Sequence, residues 1–210
     1  ASRGFAVLQL NFRGSAGYGR QFWMASFKEW GRRMQDDLTD GVRRLIDQGI
    51  ADPARVAIYG ASYGGYAALA GLCLTPELYA CGVAVSAPTD LIRLLRNVPA
   101  RWKPFEPSIH RMIGDPVRDR EALQAVSPAH RLDVIKAPLL MAHGKLDPRL
   151  SHEDSAAFVN ELKKRGIPAS FLLFDDEGHW ITGEANRIRF ILALEDFLNT
   201  HLKARGSRAN

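Results

Sequence analysis

Arg55-Val56-Ala57-Ile58-Tyr59-Gly60-Ala61-Ser62-Tyr63-Gly64-Gly65-Tyr66-Ala67-Ala68-Leu69 is the stretch that decides the fold. Residues 56–59 form a short apolar run of strand length, and Ala67-Ala68-Leu69-Ala70 continues as a buried helix. Between them stands Gly60-Ala61-Ser62-Tyr63-Gly64, the pattern G-x-S-x-G. The pattern alone recurs by chance. With a strand before it and a helix after it, it reads as a nucleophile elbow, which holds the Ser62 hydroxyl clear of the backbone at the carboxyl end of the strand. Gly60 and Gly64 are expected to leave room for this turn, since neither carries a Cβ. The Tyr63 N–H, at the helix start, is expected to face a developing oxyanion.

On either side of this turn, strand and helix signals alternate. Residues 5–12 are mostly apolar and read as a strand buried on both faces. The glycine-rich loop after them, Arg13-Gly14-Ser15-Ala16-Gly17-Tyr18-Gly19, lacks the Lys-Ser/Thr ending of a phosphate loop and the G-x-G-x-x-G spacing of a dinucleotide site. Residues 36–48 repeat Leu38, Val42, Leu45 and Ile46 at helical spacing, with Asp36 and Asp37 at the start and Gly49 as the stop. Residues 82–86, 138–143 and 169–174 read as further strands. Ser151 caps a helix ending in Lys163, Lys164 and Arg165, and the last helix spans about residues 184–203. The alternation predicts an α/β fold with a mostly parallel sheet and helices on both faces. Residues 87–127, rich in proline, break the pattern and read as short helices and turns above the sheet. Leu91, Ile92, Leu94 and Leu95 there fit either an apolar substrate pocket or plain packing onto the core.

Composition narrows the function. The 210 residues are 46% hydrophobic and 24% charged, ordinary for one globular domain. The net charge of +5 is spread among acids, which argues against a nucleic-acid surface, and the basic residues 203–208 read as a frayed end. No apolar run approaches the ~20 residues of a membrane span. Cys73 and Cys81 sit in apolar surroundings without a C-x-x-C, so free thiols and a reducing, cytoplasmic compartment are expected. No His/Cys/carboxylate spacing matches a metal site, and no cofactor is expected.

A serine nucleophile needs a base, and the base needs an acid to orient it. In the α/β-hydrolase order these follow as serine, acid, histidine, each after a strand. Asp147, in His143-Gly144-Lys145-Leu146-Asp147-Pro148, takes the acid position, although Asp-Pro is also an ordinary turn. His179, in Glu177-Gly178-His179-Trp180, takes the base position. His143 closes a strand and reads as structural. The expected chemistry is attack of Ser62 on an acyl carbon, with Tyr63 N–H as one oxyanion donor.

The combined motifs resemble the catalytic domain of the prolyl oligopeptidase family of serine peptidases, nearest to its acylaminoacyl-peptidase and dipeptidyl-peptidase-like branches. They are Asn11-Phe12-Arg13-Gly14-Ser15-Ala16-Gly17-Tyr18-Gly19, Trp30-Gly31, Gln35-Asp36-Asp37-Leu38, the elbow, Ser127-Pro128, His143-Gly144-Lys145-Leu146-Asp147 and Glu177-Gly178-His179-Trp180. The resemblance implies Ser62, Asp147 and His179 as the triad, short peptides as substrate, and an amino-terminal β-propeller gating access. It implies that residues 5–12 are the fourth strand of eight ordered 1-2-4-3-5-6-7-8. The chain is then one α/β-hydrolase domain, residues 1–210, from the carboxyl part of a longer protein. The loop giving the second oxyanion donor and the strand beside the elbow strand would both precede Ala1. Unpaired strand edges in such a piece favour a homo-oligomer. Two other readings stay open: a carboxylesterase with the same triad, and a catalytically silent fragment.

Overall fold

The computed structural model describes residues 2–202. The four strands are β1 (Ala57–Ala61), β2 (Cys81–Val85), β3 (Leu139–Gly144) and β4 (Ala169–Phe174), in sheet order β1-β2-β3-β4. All pairs are parallel, with Ala61 opposite Val85 and Val85 opposite Ala142. The helices are α1 (Arg20–Met24), α2 (Arg33–Asp47), α3 (Tyr63–Leu74), α4 (Leu91–Arg96), α5 (Glu106–Ile113), α6 (Arg120–Ala125), α7 (His152–Lys164) and α8 (Glu184–Leu202).

Alternation of side chains along each strand divides the core in two. Ala84, Leu139 and Met141 pack with Leu69 and Leu72 of α3 and with Phe158, Val159 and Leu162 of α7. Val83, Val85, Leu140 and Ala142 face the other side, against Phe190, Leu194 and Phe197 of α8. Both faces are thus covered, which is why every position of β2 and β3 is buried and most are apolar. A third cluster lies under residues 87–127 and joins Tyr66, Leu91, Leu95, Leu123 and Val126.

One predicted strand does not form. Residues 5–12 carry no strand ladder, and Val7 and Leu8 are exposed. A strand exists only through its neighbours, and no described strand lies beside this segment. It instead lays Leu8 and Leu10 on α2 at Gly41, while Phe12 meets the Tyr63 ring at 5.3 Å. The predicted helix at 36–48 starts earlier, at Arg33, with Asp36 in its first turn and Asp37 paired to Arg13. Asp37 takes the Arg13 guanidinium at 2.6 and 2.8 Å and the Arg13 N–H at 2.9 Å. Gly49 ends α2 with φ +70°.

Ser151 caps α7 as expected, accepting from the Glu153 and Asp154 N–H groups. Cys73 and Cys81 are free and buried, and burial pushes both thiols up to about 12. No described helix is long and apolar enough to cross a membrane. Residues 203–208 lie outside the described residues.

Candidate active site

The strand β1 runs straight into the helix α3, and Ser62 takes the whole turn. Its backbone sits at φ +56°, ψ −120°, a conformation that L residues rarely adopt. The turn survives because it is held on both sides. The Ser62 N–H donates to Val85 O at 2.9 Å, and the Ser62 carbonyl accepts the Tyr66 N–H at 3.0 Å. The two motif glycines are unequal here. A Cβ on Gly60 would overlap the Gly64 carbonyl, whereas a Cβ on Gly64 would meet nothing within 4 Å. Only Gly60 makes the room that both were expected to make. Gly65 permits the next close approach, with a Cβ there only 2.7 Å from the Ala87 Cβ.

Three loops at the carboxyl edge bring Ser62, His179 and Asp147 together. His179 Nε2 lies 2.9 Å from Ser62 Oγ, and His179 Nδ1 lies 2.7 Å from Asp147 Oδ2. The Asp147 side chain is fully buried and that of His179 nearly so. Burial alone would raise the Asp147 carboxyl. Hydrogen bonds from His143, His179 and the Arg149 N–H outweigh it and hold the group well below the usual carboxylate range. With Asp147 ionised, His179 Nδ1 carries the proton, and Nε2 is left to accept from the Ser62 hydroxyl.

The loops themselves are tied together. Lys145 N–H donates to Phe174 O and Leu146 N–H to Glu177 O, each at 2.8 Å. A Cβ on Gly144 would overlap the Glu177 and Gly178 carbonyls, so only glycine fits where the acid loop crosses the histidine loop. Glu177 is 3% exposed, and its carboxylate gathers the rest of the histidine loop. It accepts the Thr182 N–H and hydroxyl at 2.9 and 3.1 Å, the Gly183 N–H at 2.8 Å and the Asn186 amide at 2.8 Å. Those bonds, led by the Thr182 N–H, bring its carboxyl down to about 2.

Of the other expected site residues, Tyr63 opens α3, where its N–H has no intrahelical partner and remains free to donate. Its ring packs among Phe12, Trp30 and Tyr66. The leucines divide differently. Leu91 and Leu95 are fully buried against Tyr66 and Val126, and Leu94 packs half-buried on the same cluster. These contacts, with α4 laying its apolar side on α3, fit the packing reading for Leu91 and Leu95. The sequence reading missed Glu177 and the contact of His143 with Asp147. Their signal was adjacency to the predicted loops, which says nothing about where a side chain points. Among the described residues, no three His, Cys, Asp or Glu side chains form a metal site.

A serine on a strained strand-to-helix turn, bonded to a histidine and through it to an acid, on a parallel sheet covered by helices, defines the α/β-hydrolase class. Within that class the chain belongs to the prolyl oligopeptidase family, whose profile matches residues 1–205. It is 42% identical over 200 residues to dipeptidyl aminopeptidase BIII of Pseudoxanthomonas mexicana, covering 94% of this chain and 29% of that protein. It is 39% identical over 200 residues to dipeptidyl peptidase family member 6 of Caenorhabditis elegans, covering 94% and 27%. A puromycin-hydrolyzing peptidase of Mycobacterium tuberculosis superposes with a TM-score of 0.86 at 28% identity, covering 93% of this chain and 30% of that one. The chain therefore spans less than a third of the length of these relatives.

Proposed function

We propose that this site hydrolyses peptide bonds of short peptides through a Ser62–His179–Asp147 triad. The reading is carried by one observation: the continuous relay from Ser62 Oγ to His179 Nε2 at 2.9 Å and from Nδ1 to Asp147 Oδ2 at 2.7 Å. Ser62 Oγ attacks the carbonyl carbon of the scissile bond while its proton passes to His179 Nε2. The electron pair of the carbonyl moves onto oxygen, where the Tyr63 N–H stabilises it from the end of α3. Asp147 stabilises the imidazolium. The tetrahedral adduct expels the amine, which takes the proton from Nε2, and leaves an acyl-Ser62. Water, activated by the same nitrogen, then releases the acid and restores the serine. The choice of short peptides rests on family membership and on relatives described as dipeptidyl peptidases.

The test is labelling by a fluorophosphonate probe, with Ser62→Ala as control, followed by turnover of aminoacyl anilides and nitrophenyl esters. Labelling that disappears in Ser62→Ala, with anilide turnover, is the expected result. Labelling with ester turnover and untouched anilide would replace the peptidase by an esterase. No labelling of folded protein would overturn the assignment.

A further inference from the structure

The acid of the relay is shared by two histidines. Asp147 Oδ2, which meets His179 Nδ1, also lies 3.0 Å from Nε2 of His143 on β3. The other nitrogen of His143 lies 2.7 Å from Ser155 Oγ on α7. His143 and Ser155 are both fully buried. The second carboxylate oxygen, Oδ1, accepts the Arg149 and Leu150 N–H groups at 2.8 and 3.2 Å. Four donors therefore meet the four lone-pair positions of Asp147.

Proton placement follows from these partners. An ionised carboxylate only accepts, so His143 Nε2 facing it carries a hydrogen. Among the described residues, Ser155 Oγ makes its one side-chain hydrogen bond to His143 Nδ1. Were Nδ1 also protonated, the buried hydroxyl hydrogen would be left without an acceptor, so the hydroxyl donates and Nδ1 accepts. We propose that His143 is a positioning residue: a neutral imidazole, held in the Nε2–H form by Ser155, that donates to Asp147 and fixes Oδ2 where it reaches His179. This rests on the reading of Asp147 as the acid that orients the base.

Two consequences separate this role from packing. Without the His143 donor the carboxylate is free to turn, so the His179 ring loses its fixed orientation. The carboxylate also loses a neutral donor that draws charge from Oδ2, so it holds the His179 imidazolium more strongly. The acid limb of the pH–rate profile then moves to higher pH. The titratable groups facing His143 are Asp147, His179 through Asp147, and Asp154 of α7, which is itself paired with Arg93 at 2.9 Å.

The experiment compares wild type, His143→Leu, His143→Gln and Ser155→Ala in fluorophosphonate labelling and anilide turnover across pH, with ¹⁵N-histidine NMR of the wild type. His143→Leu is expected to lose about 10–100-fold in kcat with KM within about threefold, and to move the acid limb up by about one pH unit. His143→Gln, whose amide nitrogen again donates to Asp147, recovers most of the rate. Ser155→Ala is expected to lose about 3–10-fold. NMR at neutral pH shows His143 protonated on Nε2 and bare on Nδ1. A proton on Nδ1, or a His143→Leu enzyme with wild-type kcat and pH profile, overturns the proposal. Should His143→Leu fail to fold, the NMR tautomer and Ser155→Ala decide it, and an unchanged Ser155→Ala counts against. Wild type that labels beside an unaffected His143→Leu sinks the positioning role alone, whereas wild type that fails to label sinks the hydrolase reading and this role with it.

Discussion

Asp147 and Glu177 are the two residues on which the site geometry depends most, and both act through full sets of hydrogen bonds. Replacing Asp147 by Asn exchanges an all-acceptor group for one that offers a donor to His179 or His143. The amide N–H groups then face either both rings or the Arg149 and Leu150 N–H groups, and kcat is expected to fall on the order of 10³–10⁴-fold. Glu177→Gln leaves one or more buried N–H donors of residues 182 and 183 without an acceptor. It is expected to cost about 1–3 kcal/mol of stability and to slow turnover by loosening the loop that carries His179. The pH dependence has a definite sign. The Glu177 carboxyl stands at about 2 in the folded protein against an ordinary 4.5. Its contribution is therefore complete above pH 4.5 and is lost as pH falls from there toward 2. Thermal melts of wild type and Glu177→Gln should differ by a constant amount at neutral pH and converge across that acid window. A gap that persists to low pH would mean the carboxylate charge is not what holds the loop.

At the scale of elements, the elbow makes the sharpest prediction. Gly60→Ala drives a Cβ into the backbone of the first turn of α3 and is expected to cost about 3 kcal/mol or more, or to prevent folding. Gly64→Ala places its Cβ in open space on a helical backbone and is expected to change stability by less than about 1 kcal/mol. Equal losses in chemical denaturation would show that the turn differs from the one described. The cap of α7 gives a milder case: Ser151→Ala removes the acceptor for two N–H groups and is expected to cost about 1 kcal/mol. The elements were largely legible in the sequence, because β2, β3 and β4 are short apolar runs and α7 carries both its cap and its basic last turn. Residues 5–12 were not. Their pattern is that of a strand buried on both faces, but apolar patterning records what a segment prefers to bury and not whether a neighbouring strand is there to bond it.

Across the whole molecule, the four described strands leave two edges, β1 and β4. In the described residues β1 pairs only with β2, and Tyr59 on β1 is exposed beside α8. Ile188, Ile191 and Leu192 of α8 and Val7 and Leu8 of the amino-terminal segment are also exposed. An open strand edge flanked by apolar side chains favours pairing with another copy. The 210-residue chain is accordingly expected to self-associate, and light scattering at micromolar concentration should give a mass above 23.3 kDa. A single monomeric species would show that this edge and its apolar flank are tolerated in water.

The α/β alternation, the elbow with Ser62 and the loops holding Asp147 and His179 were legible along the chain. Each of these is local: a strand-to-helix turn, an Asp-Pro loop and a Glu-Gly-His loop carry their signals within a few residues. Which groups meet emerges only on folding. The second histidine on Asp147 and the Glu177 clasp across residues 182–186 could not be read along the chain. The same holds for the burial of Leu91 and Leu95 and for the asymmetry between Gly60 and Gly64. Hydrogen bonds and van der Waals overlap act over a few ångströms in space, and the order of residues does not contain those distances until the parallel strands have set them.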